Sequence, residues 1–82
     1  MQNAMELQRK IADELMRLRY EHDLTALELS KKAGIHISTV FNYELNKVNS
    51  MNLGTLEKFL EVYDIPLDIF FHKVSAKTQK QV

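Results

Sequence analysis

The chain has 82 residues, of which 45% are hydrophobic and 27% charged, and its 11 basic and 11 acidic side chains give zero net charge with His neutral. A chain of this length is expected to form one domain with a modest core, and the lack of cysteine excludes a disulfide framework and a thiolate metal site. No apolar run approaches the roughly 20 residues of a membrane span and no signal-peptide core is present, so we expect a cytoplasmic protein without membrane contact.

The first predicted element is an amphipathic helix over about residues 5–22. Positions at helical spacing line one face of this helix, and charged residues fill the opposite side. The positions on the first face are Leu7, Ile11, Leu15, Leu18 and His22. Asp23 follows, and because Asp tolerates the left-handed conformation better than most residues, the helix is predicted to end there.

Two short helices around a glycine turn come next. Thr25 can cap the first of them, because Glu28 three residues later completes a capping box. Gly34 then supplies a position with positive φ, which other residues adopt only at a cost. The helix after this turn is predicted to bury Val40 and Tyr43. A helix, a short turn and a second helix form the helix-turn-helix layout.

The remaining sequence predicts two more helices and a tail. Asn52 can cap a fourth helix that runs to about Tyr63. Pro66 suits the first turn of a fifth helix. Residues 72–82 are polar and basic, so they are predicted to form a flexible C-terminal tail. No strand pattern appears, and the predicted fold class is therefore all-α.

Over roughly residues 7 to 71, the chain resembles the phage-repressor, Cro-like (XRE) helix-turn-helix family. The matching positions are Leu15, Leu18, Arg19, Leu24, Thr25, Glu28, Leu29, Gly34, Ile35, Ser38, Thr39, Val40, Tyr43, Glu44, Leu56, Ile65, Leu67 and Phe71. The resemblance implies a five-helix, lambda-repressor-like DNA-binding domain with a central helix-turn-helix over residues 5–71, inside a single domain of residues 1–82. Spacing, caps and core positions all agree with this fold.

The resemblance also implies a function. Members of the family are sequence-specific transcriptional regulators that bind double-stranded DNA, with repression as the expected role and a homodimer on two half-sites as the common arrangement. The third helix would enter the major groove. Base readout would then fall to Ile37, Ser38, Phe41 and Asn42. Phosphate contacts would fall to Thr25, Ala26, His36, Thr39, Lys47, Asn49 and Asn52.

The resemblance gives Arg19 and Glu44 a structural role, as an ion pair that ties the first helix to the end of the third. The sequence offers no nucleophile with a base, no metal triad and no phosphate loop, so we expect neither enzyme activity nor a cofactor. The three histidines are too scattered in the sequence for a metal cluster, and we expect no metal site.

The predicted DNA-binding face departs from the family pattern at several positions. The family usually has Gln at the position of Ala26 and a polar residue at the position of Ile37, and small or polar residues are common at the position of Phe41. Ile37 and Phe41 are four residues apart and share a helix face. With Ala26 and Leu27 nearby they would form an exposed apolar patch, a feature that tends to mark partner sites.

Two interpretations of this face stay open. In the first, Ile37 and Phe41 contact thymine methyl groups while Ser38 and Asn42 make the hydrogen bonds to bases. In the second, the same fold is a protein-interaction module, such as an antitoxin or a partner-binding subunit, and Leu27, Ile37 and Phe41 contact a protein partner. Whichever interpretation holds, the neutral net charge predicts only weak electrostatic attraction between this protein and DNA.

Overall fold

Five α-helices account for most of the chain in a computed structural model that describes residues 4–79. In chain order they are α1 (Ala4–Glu21), α2 (Ala26–Ala33), α3 (Ile37–Glu44), α4 (Leu53–Val62) and α5 (Leu67–Gln79). No strand occurs within residues 4–79, which confirms the all-α fold class. None of these helices is both long enough and apolar enough to cross a membrane.

Residues with left-handed backbone conformation follow three of the helices. Asp23 after α1 has a φ of 55°, Asn46 after α3 a φ of 57° and Asp64 after α4 a φ of 60°. Asp and Asn enter this region more easily than other residues with side chains, and Asn is the residue most often used there after Gly. The sequence prediction that the first helix ends at Asp23 is therefore confirmed.

A capping box fixes the start of α2. The Glu28 N–H donates to Thr25 Oγ1 over 3.1 Å, and the Thr25 N–H donates to the Glu28 carboxylate over 2.8 Å. These hydrogen bonds, the one from the Thr25 backbone first, hold the pKa of Glu28 below its usual value. At the other end, Gly34 has a φ of 71°, and no distant atom lies within 4 Å of the place where a Cβ would sit. Backbone conformation rather than space therefore requires glycine there.

The core lies where the five helices meet. Helix α2 packs against α3 and α4, α1 packs against α3 and α5, and α4 packs against α5. The large apolar side chains with almost no exposed surface are Leu15, Leu29, Val40, Leu56, Phe59, Leu60, Phe70 and Val74. Burying each of them contributes about 1.5–3 kcal/mol to stability before the entropy of ordering the chain is subtracted.

The C-terminal part of the chain differs from the sequence prediction. Residues 72–82 were expected to be a flexible tail, but α5 continues to Gln79 and the side chain of Val74 is completely buried. The physical reason is spacing, because Val74 follows Phe70 by four residues and extends the same buried face of the helix. The polar residues around it, such as His72 and Lys73, are exposed and made the segment look like a tail. Residues 80–82 of that prediction lie outside the described part of the chain.

Candidate nucleic-acid interface

Helix α3 has two sides with different surroundings. Its buried residues are Val40, Tyr43 and Glu44, on the side where α3 packs against α1, α2 and Phe59 of α4. Its exposed residues include all four of the predicted base-reading positions, Ile37, Ser38, Phe41 and Asn42. The buried side is therefore available to fix the helix in place, and the exposed side is available to contact another molecule.

A buried ion pair holds the end of α3 against α1. Arg19 Nε lies 2.9 Å from Glu44 Oε2, and Arg19 Nη2 donates to Glu44 Oε1 over 2.9 Å. Arg19 Nη1 also donates to the carbonyl of Leu24 over 3.0 Å, so the guanidinium braces the α1–α2 turn as well. Hydrogen bonding to Glu44 raises the pKa of Arg19 above its usual value. The pairing expected for these two residues is present, and neither side chain is on the exposed side of α3.

Tyr43 connects α3 to the start of α4. Its hydroxyl accepts a hydrogen bond of 3.0 Å from the Asn52 N–H, and its ring stacks on Phe59 with 5.5 Å between the centroids. Asn52 in turn caps α4, because its Oδ1 accepts from the Thr55 N–H over 3.1 Å. A Cβ on Gly54 would lie 3.0 Å from that same Oδ1, so the glycine leaves room for the cap.

Gln8 holds the loop between α3 and α4 from the side of α1. Its Nε2 donates to Asn46 Oδ1 and to the carbonyl of Val48, both over 2.9 Å. The predicted phosphate-contacting residues Lys47 and Asn49 flank Val48 and are exposed. This loop is therefore tied to the helices at its middle while its polar side chains remain accessible.

The apolar patch predicted on this surface is present, with one change of membership. Leu27 is 49% exposed, Ile37 is 37% exposed and Phe41 is 43% exposed. Ala26, which was expected to belong to the patch and to lie near a phosphate, is only 7% exposed and belongs to the core. Its side chain faces inward because it lies on the same helix face as Leu29 and Ser30, which are also buried. Only its backbone at the start of α2 is placed for a contact.

The other predicted phosphate-contacting residues differ in their exposure and in whether their side chains already make hydrogen bonds within the protein. Thr25 and Asn52 are exposed, but the side chain of each accepts a hydrogen bond at a helix start. His36 precedes α3 and is exposed, and its side chain makes no capping hydrogen bond. Thr39 is half-buried. The available donors of this set are therefore concentrated at the start of α3 and in the loop after it.

Two exposed side chains on this face were missed by the sequence analysis. Tyr20 borders a shallow depression with Thr25 and Phe41, and its ring lies 4.8 Å from the guanidinium carbon of Arg19. Lys31 borders a second depression together with Ile37. A signal for Lys31 was its place one helical turn before the glycine turn, whereas nothing in the local sequence pattern marked Tyr20.

The charges on this face are few and mixed. Lys31, Lys32 and Lys47 are exposed around α3, while the Glu28 carboxylate, whose pKa is lowered by its hydrogen bonds to Thr25, lies at the N-terminus of α2. Within residues 4–79 no three His, Asp or Glu side chains are grouped so that they could hold a metal ion. The arrangement supplies hydrogen-bond donors, acceptors and apolar contact rather than a strong field.

Two helices joined by a glycine turn, with the second braced from behind and exposed in front, define a DNA-binding helix-turn-helix domain. Residues 15–70 match the model of the helix-turn-helix family of Cro/C1 type, also called XRE. The chain belongs to this family, whose members are DNA-binding regulators. No curated protein is significantly similar to the chain.

Proposed function

We propose that the protein is a sequence-specific transcriptional regulator that binds duplex DNA as a homodimer, with α3 in the major groove. The observation that carries this proposal is the asymmetry of α3. Its buried side is held by the Arg19–Glu44 pair and by Tyr43, while Ser38 and Asn42 on the other side make no side-chain hydrogen bond to the described residues. A rigid helix with unoccupied polar groups on its exposed side is what base readout requires.

The phosphate contacts would lie on either side of this helix. Thr25 and the start of α2 would face one DNA strand, where the backbone N–H groups of α2 that the capping box does not use could donate to a phosphate. Lys47, Asn49 and Asn52 in and beside the loop after α3 would contact the backbone across the groove. Such contacts fix orientation without reading sequence. A protein bound at a promoter blocks transcription without any further activity, so we expect repression as the role. We expect the protein to act in the cytoplasm, where bacterial or phage DNA lies.

Selection from a randomised duplex library at low salt tests the proposal directly. We expect enrichment of a pseudo-palindromic site whose half-sites are about one helical turn apart. The Ser38→Ala and Asn42→Ala variants should lose preference at particular bases, whereas Ile69→Ala, on the exposed surface of α5, should leave the selected site unchanged. A folded protein that enriches no sequence would contradict the proposal.

The same purified protein allows a salt titration on the selected site. Because the cations near α3 are few and net charge is zero, we expect a shallow dependence of affinity on salt, equivalent to about three or four phosphate contacts per protomer. A slope corresponding to many contacts per protomer would contradict this prediction and would indicate a larger basic surface than the fold suggests.

A second function is favoured by one observation, the exposure of three large apolar residues on α2 and α3, namely Leu27, Ile37 and Phe41. Apolar groups of this size on a monomer tend to mark protein contacts, and an antitoxin or partner-binding subunit would use them in that way. The double variant Ile37→Ser, Phe41→Ser separates the two functions. A regulator would change its site preference, whereas a partner-binding module would lose its protein complex and become more soluble.

A further inference from the structure

Two parallel rows of side chains run along the exposed side of α3. The first row is apolar and consists of Ile37 and Phe41, and the second is polar and consists of Ser38 and Asn42. The members of each row are four residues apart, so they lie one above the other on the helix surface. Any molecule that covers this side of α3 must offer apolar groups and hydrogen-bonding groups next to each other.

We propose, on the basis of the DNA-binding function above, that each half-site is read through thymine methyl groups that pack against Ile37 and Phe41. In the major groove the C5-methyl of thymine is the one apolar group that the four standard bases present. Asn42, beside Phe41, matches the N6 and N7 positions of adenine, the base that pairs with thymine. The two rows together therefore select A·T pairs.

The spacing of the apolar row fits neighbouring base pairs. Four residues of α-helix rise about 6 Å, and successive base pairs of one DNA strand are about 3.4 Å apart. Ile37 and Phe41 can consequently contact methyl groups that are one to two base pairs apart. The low charge of the protein makes these contacts more important, because little of the affinity comes from attraction to phosphates.

The surroundings of the two side chains support separate contacts. Ile37 borders the depression that contains Leu27 and Lys31, and Phe41 borders the one that contains Tyr20 and Thr25. Each apolar side chain thus has its own neighbours on α2 or α1. A methyl group inserted beside one of them does not have to displace the other.

The test replaces thymine with deoxyuridine, one position at a time, in both half-sites of a duplex obtained by the selection described above. Uracil keeps every hydrogen-bonding group of thymine and lacks only the methyl group. The area of one methyl group predicts about a fourfold weakening of binding at each thymine that is read. We expect this effect at two positions in each half-site and no effect at the remaining thymines.

Variants then connect each methyl group to its side chain. Ile37→Ala should reduce the ratio of the affinities for the thymine and uracil duplexes to about one at one of the two positions. Phe41→Ala should do the same at the other position, and the comparison is a double-mutant cycle between side chain and methyl group. Leu45→Ala is a matched control, because Leu45 is also exposed and lies one turn beyond Phe41, at the C-terminal end of α3. The thymine-to-uracil affinity ratios of the Leu45→Ala variant should equal those of the unmodified protein.

The outcomes are distinguishable. Methyl effects that disappear in the Ile37 and Phe41 variants and persist in the Leu45 variant support the inference. Specific binding with equal affinity for thymine and uracil, or ratios that the variants leave unchanged, overturns it while the regulator function stands. No specific binding to any duplex overturns the regulator function and this inference together, and favours a protein partner for the same face.

Discussion

Both sides of α3 contain large apolar residues as well as polar ones, but only one side packs against the rest of the molecule. On one side, Val40, Tyr43 and Glu44 are buried, and the last two make hydrogen bonds to other elements. On the other side, Ile37 and Phe41 are large apolar residues that remain substantially exposed. Hydrophobicity alone therefore does not tell which residues of this helix maintain the fold.

The difference teaches that stability and recognition are assigned to separate faces of one short helix. An eight-residue helix is too short to be stable alone, so its position depends on its buried side. The exposed side then does not contribute to the stability of the fold, and it can contain residues that are needed only for contact with a bound molecule. Substitutions on the two sides should consequently affect different measurements, and the following predictions test that separation.

The largest effect is expected from removing one member of the Arg19–Glu44 pair. Arg19→Ala or Glu44→Ala leaves the other charge buried without its partner, which costs about 3–5 kcal/mol. The free energy of unfolding from chemical denaturation measures this loss. Arg9→Ala is the matched control, because Arg9 pairs with Asp13 on the same helix α1 but both side chains are exposed. Its cost should stay below about 1 kcal/mol, and equal losses for the two pairs would contradict the prediction.

The next effect concerns α5, where neighbouring residues have the same contrast of surroundings. Val74→Ala removes two buried methyl groups and should lower the free energy of unfolding by about 2 kcal/mol. Ser75→Ala, at the adjacent exposed position, should change it by less than about 0.5 kcal/mol. Urea unfolding followed by circular dichroism compares the two variants. If both were neutral, residues after Phe71 would add nothing to the core.

A smaller effect distinguishes two tyrosines behind α3. Tyr43→Phe loses the hydrogen bond from the Asn52 N–H and should cost about 1 kcal/mol. The Tyr63 hydroxyl is buried and has no hydrogen-bond partner among the described residues, so Tyr63→Phe should leave stability unchanged or raise it by up to about 1 kcal/mol. Thermal unfolding at neutral pH measures both changes. A loss in Tyr63→Phe as large as that in Tyr43→Phe would contradict this assignment.

We also expect Tyr63 to make the stability of the protein decrease at alkaline pH. Burial, together with the charge of Glu44, raises the pKa of Tyr63 from 10.0 to about 12. The unfolded chain therefore releases this proton at lower pH than the folded protein does, and stability falls as the pH rises from about 10 to about 12. The difference between the unmodified protein and Tyr63→Phe isolates this contribution from that of the lysines. A difference that does not change with pH would contradict the raised pKa.

Local sequence signals correctly predicted the features that position α2 and α3. The Thr25–Glu28 capping box and the glycine turn at Gly34 depend on residues a few positions apart, and the structure contains both. The Arg19–Glu44 pair joins residues that are distant in sequence, and only the family resemblance suggested it. These features could be predicted because each depends on a short pattern or on a pattern shared across the family.

Features that depend on packing in three dimensions were not predictable in the same way. A single buried residue, Val74, decides that α5 continues through a polar segment. The burial of Ala26 depends on the packing of α2 against α3 and α4, and the place of Tyr20 beside Phe41 depends on the packing of α1 against α3. What the exposed side of α3 contacts is not encoded in packing at all, because no residue within 4–79 buries it.

The smallest effect on stability is expected from the exposed side of α3. Ile37→Ser and Phe41→Ser should each lower the free energy of unfolding by no more than about 1 kcal/mol, because each residue already has more than a third of its surface in water. Binding to the selected DNA site should nevertheless weaken or shift in preference. Val40→Ser, on the buried side of the same helix, is the matched control and should destabilise the fold strongly. A large loss of stability in the Ile37 or Phe41 variants would show that this face also maintains the fold, and the separation of the two sides would then be wrong.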